Sequence, residues 1–460
     1  MADKLLISAF DVGLGDCIYC RIPKAIASGG EAVDFHMLVD CGSWSGERYL
    51  QAAVKALAGM LPQTASGKRR LDLIVVTHRH KDHIAGFDKA LFKQFEIGAI
   101  WLSAAMNPEL KKSKGKGVDG VEASRALALE DYATQAMRGL ASLNLSLGEE
   151  MAAFISEFAV ANDEALDTLT DWIPRQNGIE ARYVHAGQSN ADLGLPLAGA
   201  TIRVLAPEKD IDHYYLGAAP DPMLQALSAS FTPQAYGAAM AAPVPASELP
   251  ANISASDFQR LRSNMLSSAL ALAAASNQMV NNTSVILRID WGGKRLLFVG
   301  DAEWSTAYRD GKANGSWNVM WNRRGELLKE GVDFLKIGHH GSTNATPWRD
   351  DPDGPSTEAG DILDAILPRP VAPAQATAVA VVSTERGRYE PIPRCALLED
   401  LGTRLKDTRN YQQASATAGV DLLANSRFRN LEQDWLGKPQ PLRTDFERLL
   451  GSPGYVELWL

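Results

Sequence analysis

The stretch LIVVTHRHKDHIAGF, from Leu73 to Phe87, changes character in its middle. Leu73 to Val76 is a short apolar run rich in β-branched residues, which reads as a buried strand. From Thr77 the text turns polar and places three of the chain's eight histidines and an aspartate within six positions. The chemistry therefore sits at the C-terminal end of a strand. His78, His80, Asp82 and His83 spell H-x-H-x-D-H, and side chains packed this tightly on a strand-to-helix turn cannot all point one way. The spacing predicts two pairs: His78 and His80 serving one cation, Asp82 and His83 serving a second a few ångströms away, an arrangement suited to two-metal hydrolysis.

Working outward, the same strand-then-turn pattern recurs. Leu5 to Phe10 leads into Asp11-Val12-Gly13-Leu14-Gly15-Asp16, and Cys17 to Ile22 forms the next strand. Phe35 to Val39 ends in Asp40-Cys41-Gly42-Ser43. Further strands are expected over Ile97 to Leu102, Ala181 to His185, Thr201 to Leu205, Val285 to Asp290 and Ala378 to Val382. Arg295 to Val299 runs into Gly300-Asp301-Ala302-Glu303, where Asp301 is placed to bridge two cations. Phe334 to Ile337 runs into Gly338-His339-His340-Gly341-Ser342, a second histidine-bearing turn.

In this order, D-V-G-x-G-D, L-V-D-C-G and T-H-x-H-x-D-H resemble the metallo-β-lactamase superfamily. The branch they are most similar to contains the lactamase-like domain of the competence protein ComEC and the phosphorylcholine esterases. The resemblance implies an α/β chain folded as a four-layer αββα sandwich holding two divalent cations, zinc or alternatively manganese. It implies that Asp40 orients the histidine loop and that Asp11 or Asp16 lines the pocket floor. It also implies that one histidine of His339-His340 ligates metal while the other lies beside the reacting group, with Ser342 next to the substrate. The family pattern departs in one place: after Leu205 the chain reads Ala206-Pro207-Glu208-Lys209, with no metal histidine. His185 and His213 are alternatives, although each reads more simply as a core or surface residue. The cation of His78 and His80 is thus expected to have fewer protein ligands. The family also more often has histidine where Glu390 stands.

A net charge of -9 argues against nucleic-acid binding held by bulk charge. Four cysteines are too few for a disulfide framework, and no signal peptide precedes Leu5, which points to the cytoplasm. Cys17 and Cys20 lie on an expected strand and should face opposite sides as core residues. The longest apolar run, Met265 to Ala275, falls short of the roughly twenty residues that span a bilayer. Alanine- and leucine-rich segments interrupt the strand rhythm at about 104–173, 208–280 and 408–452 and read as helical insertions into one domain covering residues 1–460. These insertions are a place for a protein partner. Lys112 and Lys114, in a lysine-rich loop, are expected either to be solvated or to attract an anionic substrate.

Two cations sharing Asp301 would lower the pKa of a water between them from above 15 toward about 7 and so supply a nucleophile without serine or cysteine. The expected function is a metal-dependent phosphodiesterase or nuclease in which Asp82, Asp301 and His340 carry the chemistry. The carboxylate of Asp82 and the H-H-G-S turn favour that reading. A hydrolase of a lactone or thioester is the alternative, and a degenerate metal-binding interaction module a further one.

Overall fold

The computed structural model of the chain describes residues 4–28, 31–114, 117–141, 162–217, 255–349, 355–372, 375–384, 392, 394, 397, 400–401, 404–406 and 454–460. Its strands are, in chain order, β1 Leu6–Phe10, β2 Ile18–Ser28, β3 Glu31–Val39, β4 Arg69–Leu71, β5 Leu73–Val76, β6 Phe95–Ile97, β7 Ile100–Ser103, β8 Ala181–Val184, β9 Ala200–Ala206, β10 Ile286–Trp291, β11 Lys294–Phe298, β12 Phe334–Ile337, β13 Val379–Val382 and β14 Tyr455–Trp459. They form a seven-stranded sheet in the order β14-β1-β2-β3-β5-β7-β8 and a five-stranded sheet in the order β13-β12-β11-β10-β9. Within the first sheet β3, β5, β7 and β8 run parallel; within the second, β11, β12 and β13 do. The closing strand, β14, pairs antiparallel with β1 at the sheet's edge.

The residues divide by strand periodicity into three apolar layers. Ile7, Cys20, Met37, Leu73 and Val75 of the first sheet meet Val204, Leu287, Ile289, Leu296 and Val381 of the second. The alternate residues, Leu38, Ile74, Val76 and Leu102, face outward against Leu50, Val54 and Leu57 of the helix Glu47–Met60. That helix buries residues at i, i+3, i+4 and i+7, the stripe that a surface helix needs. On the far side, Leu297, Leu335 and Ala380 pack against Trp317 and Met320 of the helix Ser316–Leu328 and Ile362 and Ile366 of the helix Glu358–Ile366. The result is the expected four-layer αββα sandwich. The central parallel strand β5 is covered on both faces, which is why it is apolar at every position rather than at alternate ones. Cys17 packs in the outer layer and Cys20 in the inner one, and burial pushes the Cys20 thiol up to about 12, so it is inert.

One expected strand divides. Ile97 to Leu102 reads as a single element, yet β6 pairs with β4 in a separate two-stranded sheet while β7 pairs with β5. The break falls at Gly98, whose N–H donates to the Leu71 carbonyl at 3.0 Å. A Cβ there would stand 2.8 Å from the Asp72 carbonyl oxygen, so the glycine lets the chain cross between the two sheets.

The described parts of the first two insertions are helical and share one satellite core. Leu110, Ala126 and Leu127 from the first meet Ile211, Tyr215, Met279 and Val280 from the second. Its longest helices are Ser124–Ala141 and Ala255–Asn282, the latter containing the Met265–Ala275 run. The expected third insertion, 408–452, and the segment around Glu390 lie outside the described residues. Among the described residues no helix is long and apolar enough to cross a membrane.

Two glycines separate steric from conformational cost. Gly42 sits where a Cβ would be 2.2 Å from backbone atoms of Asp82 and His83, whereas Gly292 has φ +55 with nothing within 4 Å. Gly42→Ala is expected to destabilise by about 3 kcal/mol or more, because backbone must move. Gly292→Ala should cost only the left-handed penalty, about 1 kcal/mol. Urea unfolding of both variants checks this; equal losses would mean that the close approach at Gly42 is wrong.

Candidate metal centre

Parallel neighbours bring their C-terminal ends to one edge of a sheet, and in a sandwich two such edges can meet. The turn after β3 carries Asp40 and the turn after β5 carries Thr77 to His83. From the second sheet, Asp301 follows β11 and His339-His340 follow β12. Gly300 lets these edges close: its φ is +54, and a Cβ there would be 2.8 Å from Thr77 Cβ.

Asp82, His83, Asp301 and His340 are all buried and offer donor atoms within 4.8 Å of one another. His83 Nε2 lies 3.1 Å from Asp301 Oδ2 and 3.7 Å from Asp82 Oδ2, and His340 Nε2 lies 2.8 Å from Asp82 Oδ2. Three of the four are oriented from behind. His83 Nδ1–H donates to Asp40 Oδ2 at 2.8 Å, and the Thr77 N–H and hydroxyl donate to Asp40 Oδ1 and Oδ2 at 2.7 Å each. His340 Nδ1–H donates to the Ser383 carbonyl at 2.7 Å. The His339 N–H donates to Asp301 Oδ1 at 3.0 Å and leaves Oδ2 facing the cluster. Both histidines thereby present Nε2, the arrangement that fixes metal ligands. Asp40, His339 and His340 adopt left-handed backbone at φ +56, +42 and +55, strain concentrated where the donors converge. Among the described residues, no well-formed hydrogen bond reaches Asp82 Oδ1 or His83 Nε2 although both atoms are buried. Two imidazole nitrogens and two carboxylates, with unpaired atoms turned inward, fit a zinc or manganese ion.

Without such an ion the nest holds protons instead. Burial alone would push the His83 imidazole down, but the carboxylates of Asp301, Asp82 and Asp40 outweigh it and hold His83 well above the usual range. Burial likewise opposes His340, and its hydrogen bond to Asp82, together with Asp301, raises it. Burial would raise Asp82, but His83 and His340 pull it down to about 2. Asp301 is held well below the carboxylate range by His83 and His339 against the same burial.

The other expected residues fall around this cluster. His78 Nε2 lies 2.9 Å from His80 Nδ1 and 4.0 Å from Asp301 Oδ2, so Asp301 Oδ2 faces both histidine groups. Burial, then neighbouring imidazoles, hold His78 well below the usual range, and burial takes His80 down to about 4. The His339 ring stands apart, its Nδ1 3.7 Å from Glu303 Oε1. Asp16 pairs with the buried Lys336 ammonium and lies 3.8 Å from His83 Nδ1. Asp16, Asp40 and His83 form a second potential ligand group, and Lys336 supplies its cation. Asp11 accepts from the Gly13 N–H at 3.2 Å. The Ser342 hydroxyl donates to Asn344 Oδ1 at 3.1 Å. Lys112 pairs with Glu109 at 2.5 Å, and Lys114 sits in a left-handed turn at φ +55. Of that lysine run it is Lys111 that approaches the pocket side, 3.7 Å from Glu130. Beyond Leu205, Glu208 pairs with Arg324. His185 hydrogen-bonds the Ala186 carbonyl at 3.0 Å and His213 lies 3.2 Å from Asp310, so neither joins the cluster.

Two participants escape sequence reasoning. Lys336 is a lone lysine in the otherwise apolar strand Phe334–Ile337, which was a readable signal. Glu303 gave none beyond its place after Asp301: burial pushes it up to about 7, and Asn281 Nδ2–H donates to its Oε1 at 2.9 Å.

Residues 31–100 match the family model of the metallo-beta-lactamase superfamily, a segment running from β3 through the histidine turn. No curated protein matches the chain. Among solved structures it is similar to the metallo-beta-lactamase fold protein YhfI from Bacillus subtilis, at 12% identity and a TM-score of 0.26, covering 73% of this chain and 70% of that one. It is also similar to zinc-bound PqqB from Methylobacterium extorquens, at 12% identity and a TM-score of 0.32, covering 90% and 95%. A chain layered αββα, whose histidine segment matches that superfamily, has the metallo-β-lactamase fold.

Proposed function

We propose that this protein is a metal-dependent hydrolase working at Asp82, His83, Asp301 and His340, with a phosphodiester as its first substrate class. The observation that carries the reading is the convergence of four buried donors, three of them oriented from behind, on one point where, among the described residues, Asp82 Oδ1 has no hydrogen-bond partner and His83 Nε2 lies 3.1 Å from Asp301 Oδ2. A divalent cation held there would acidify water and polarise the scissile bond. Asp40 keeps His83 in the tautomer that presents Nε2, and the Ser383 carbonyl does the same for His340. Without the ion, His340 Nε2 would instead hold a proton against Asp82 Oδ2. The carboxylate of Asp82 and the similarity of H-H-G-S to the phosphodiesterase members support phosphodiester over carbonyl chemistry.

A specific observation favours a second reading, the hydrolase of a carbonyl substrate. The cleft beside His78 is lined mainly by Ala105, Met106, Ala123, Ala126, Leu127, Met279 and Val280. Among its described residues the one cationic side chain besides histidine is Arg79, which is paired with Glu130. Both features support a small substrate rather than a nucleic-acid strand, which needs a row of unpaired cations.

Three outcomes test the proposal. Chelator titration of metal-loaded protein should be biphasic, the equivalent at His78 and His80 leaving first, since that pair has the fewer neighbouring ligands. Less than about one equivalent of zinc or manganese after reloading would remove the metal-dependent reading altogether.

The second outcome concerns pH. His83 and His340 carry raised pKa values in the metal-free protein, so their stabilisation is complete below the unfolded value of about 6.5 and fades as pH rises through the folded values. Asp82 and Asp301 are depressed, so theirs is complete above about 4 and fades on acidification. Zinc binding near pH 7 should therefore release protons from His83 and His340. Calorimetry in buffers of different ionisation enthalpy reads that release; its absence would mean these histidines do not bind the ion.

The third outcome is that Asp301→Asn keeps the fold by circular dichroism yet lowers metal affinity and turnover by at least about 100-fold. Equal rates for this variant and wild type on bis(p-nitrophenyl) phosphate would place any cleavage elsewhere, and activity confined to thioesters or lactones would select the second reading.

A further inference from the structure

Lys336 places an ammonium inside the sandwich. Along β12, Phe334 packs between the two sheets while Leu335 and Ile337 face the outer helices, so Lys336 shares the inward face with Phe334. Its side chain is 2% exposed and reaches across to Asp16, in the turn that leads into β2 of the other sheet. The backbone of Asp16 is tied to the ligand loops: its N–H donates to the Asp82 carbonyl at 2.8 Å, and its carbonyl accepts from the Gly42 N–H at 2.9 Å. A buried ion pair is often no better for stability than apolar side chains of the same volume. Folding alone therefore does not account for an ammonium at this position.

Its surroundings do. Asp16, Asp40 and His83 are all buried and place donor atoms within 4.8 Å of one another. His83 Nδ1 stands 2.8 Å from Asp40 Oδ2 and 3.8 Å from Asp16 Oδ2. These spacings bracket the roughly 3 to 3.5 Å that separates neighbouring donors around a small divalent ion. Asp16 Oδ1 is buried too, and no hydrogen bond among the described residues reaches it. This inner group shares His83 with the outer group of Asp82, Asp301 and His340, Nδ1 facing inward and Nε2 outward. An ion in the inner group would take Nδ1 and displace the proton that His83 donates to Asp40.

We propose that Lys336 decides which of the two groups takes the metal: its ammonium is the resident cation of the inner group, keeps a divalent ion out of it, and leaves His83 to serve the outer group through Nε2. The inference rests on the metal-binding part of the function proposed above and not on any substrate. The ammonium is paired with Asp16, the carboxylate that an inner ion would need. With Lys336 in place, a divalent ion at that point would face a buried like charge. Without it, the carboxylates of Asp16 and Asp40 would be buried together with the His83 ring as their shared neighbour, and would attract a cation in its stead.

The test counts ions on the intact chain. Wild type, Lys336→Met and the double variant Lys336→Met/Asp16→Asn are stripped with chelator, titrated with manganese chloride and read by electron paramagnetic resonance of the free ion and by elemental analysis. Lys336→Met keeps the length of the side chain without its charge and is expected to bind about one equivalent more than wild type. The double variant should return to the wild-type count, because the inner carboxylate is gone. His340→Ala, which breaks the outer group, should weaken manganese binding at least about tenfold in the wild-type background and leave the extra equivalent of Lys336→Met in place. If Lys336→Met fails to fold, Lys336→Gln removes the charge but keeps a donor for Asp16, and the same extra equivalent is expected. A wild-type count in folded Lys336→Met or Lys336→Gln, or an extra ion that survives Asp16→Asn, would overturn the proposal. Manganese bound by Lys336→Met and not by wild type would keep the assignment of the inner group and overturn the metal-dependent hydrolase reading instead.

Discussion

The hydrogen bond from His83 Nδ1–H to Asp40 Oδ2 is the constraint on which the centre depends. Burial raises the Asp40 carboxyl, and it remains useful as an anion because His83 and the Thr77 donors face it. Through Thr77 the same carboxylate fixes the end of β5, so one side chain sets both the path of the histidine loop and the tautomer of its innermost histidine. A carboxylate in the turn after β3 can do this because β3 and β5 are parallel neighbours and their turns emerge side by side. The second sheet meets this anchor through Asp301, and Gly300 leaves room for the meeting.

This dependence explains which parts were legible in the sequence. The ligand-bearing strands β3, β5 and β11 end in apolar runs, Leu38-Val39, Leu73 to Val76 and Leu296 to Phe298, and each is followed by a turn rich in glycine or polar side chains. The layers and the positions of Asp82, His83 and Asp301 at strand ends could be read from that pattern. The division of Ile97 to Leu102 could not, since nothing local distinguishes one continuous strand from two that join different sheets at a glycine. Nor could the sequence separate His339 from His340, because both stand at the same strand end and backbone twist alone sends one ring to Asp82 and the other toward Glu303.

Pairs of distant charges were the least readable. Lys336 and Asp16 are separated by 320 positions, and Arg79 and Glu130 meet only because a helix inserted between strands folds back over the histidine loop. The lysine run reads either as solvated or as an electrostatic approach path; among its described residues Lys112 pairs with its own helix neighbour and Lys111 lies near Glu130.

The buried ammonium of Lys336 has a consequence for the order of assembly. Burial would depress it, but Asp16 and Asp301 hold it raised and charged. With His83 and His340 protonated, three cations then stand among the carboxylates of Asp16, Asp40, Asp82 and Asp301, and the empty nest is nearly neutral. Such a nest does not need an ion to become foldable, in contrast to small domains whose metal supplies the folding energy. An ion bound there would exchange against protons on donors that the fold already holds together.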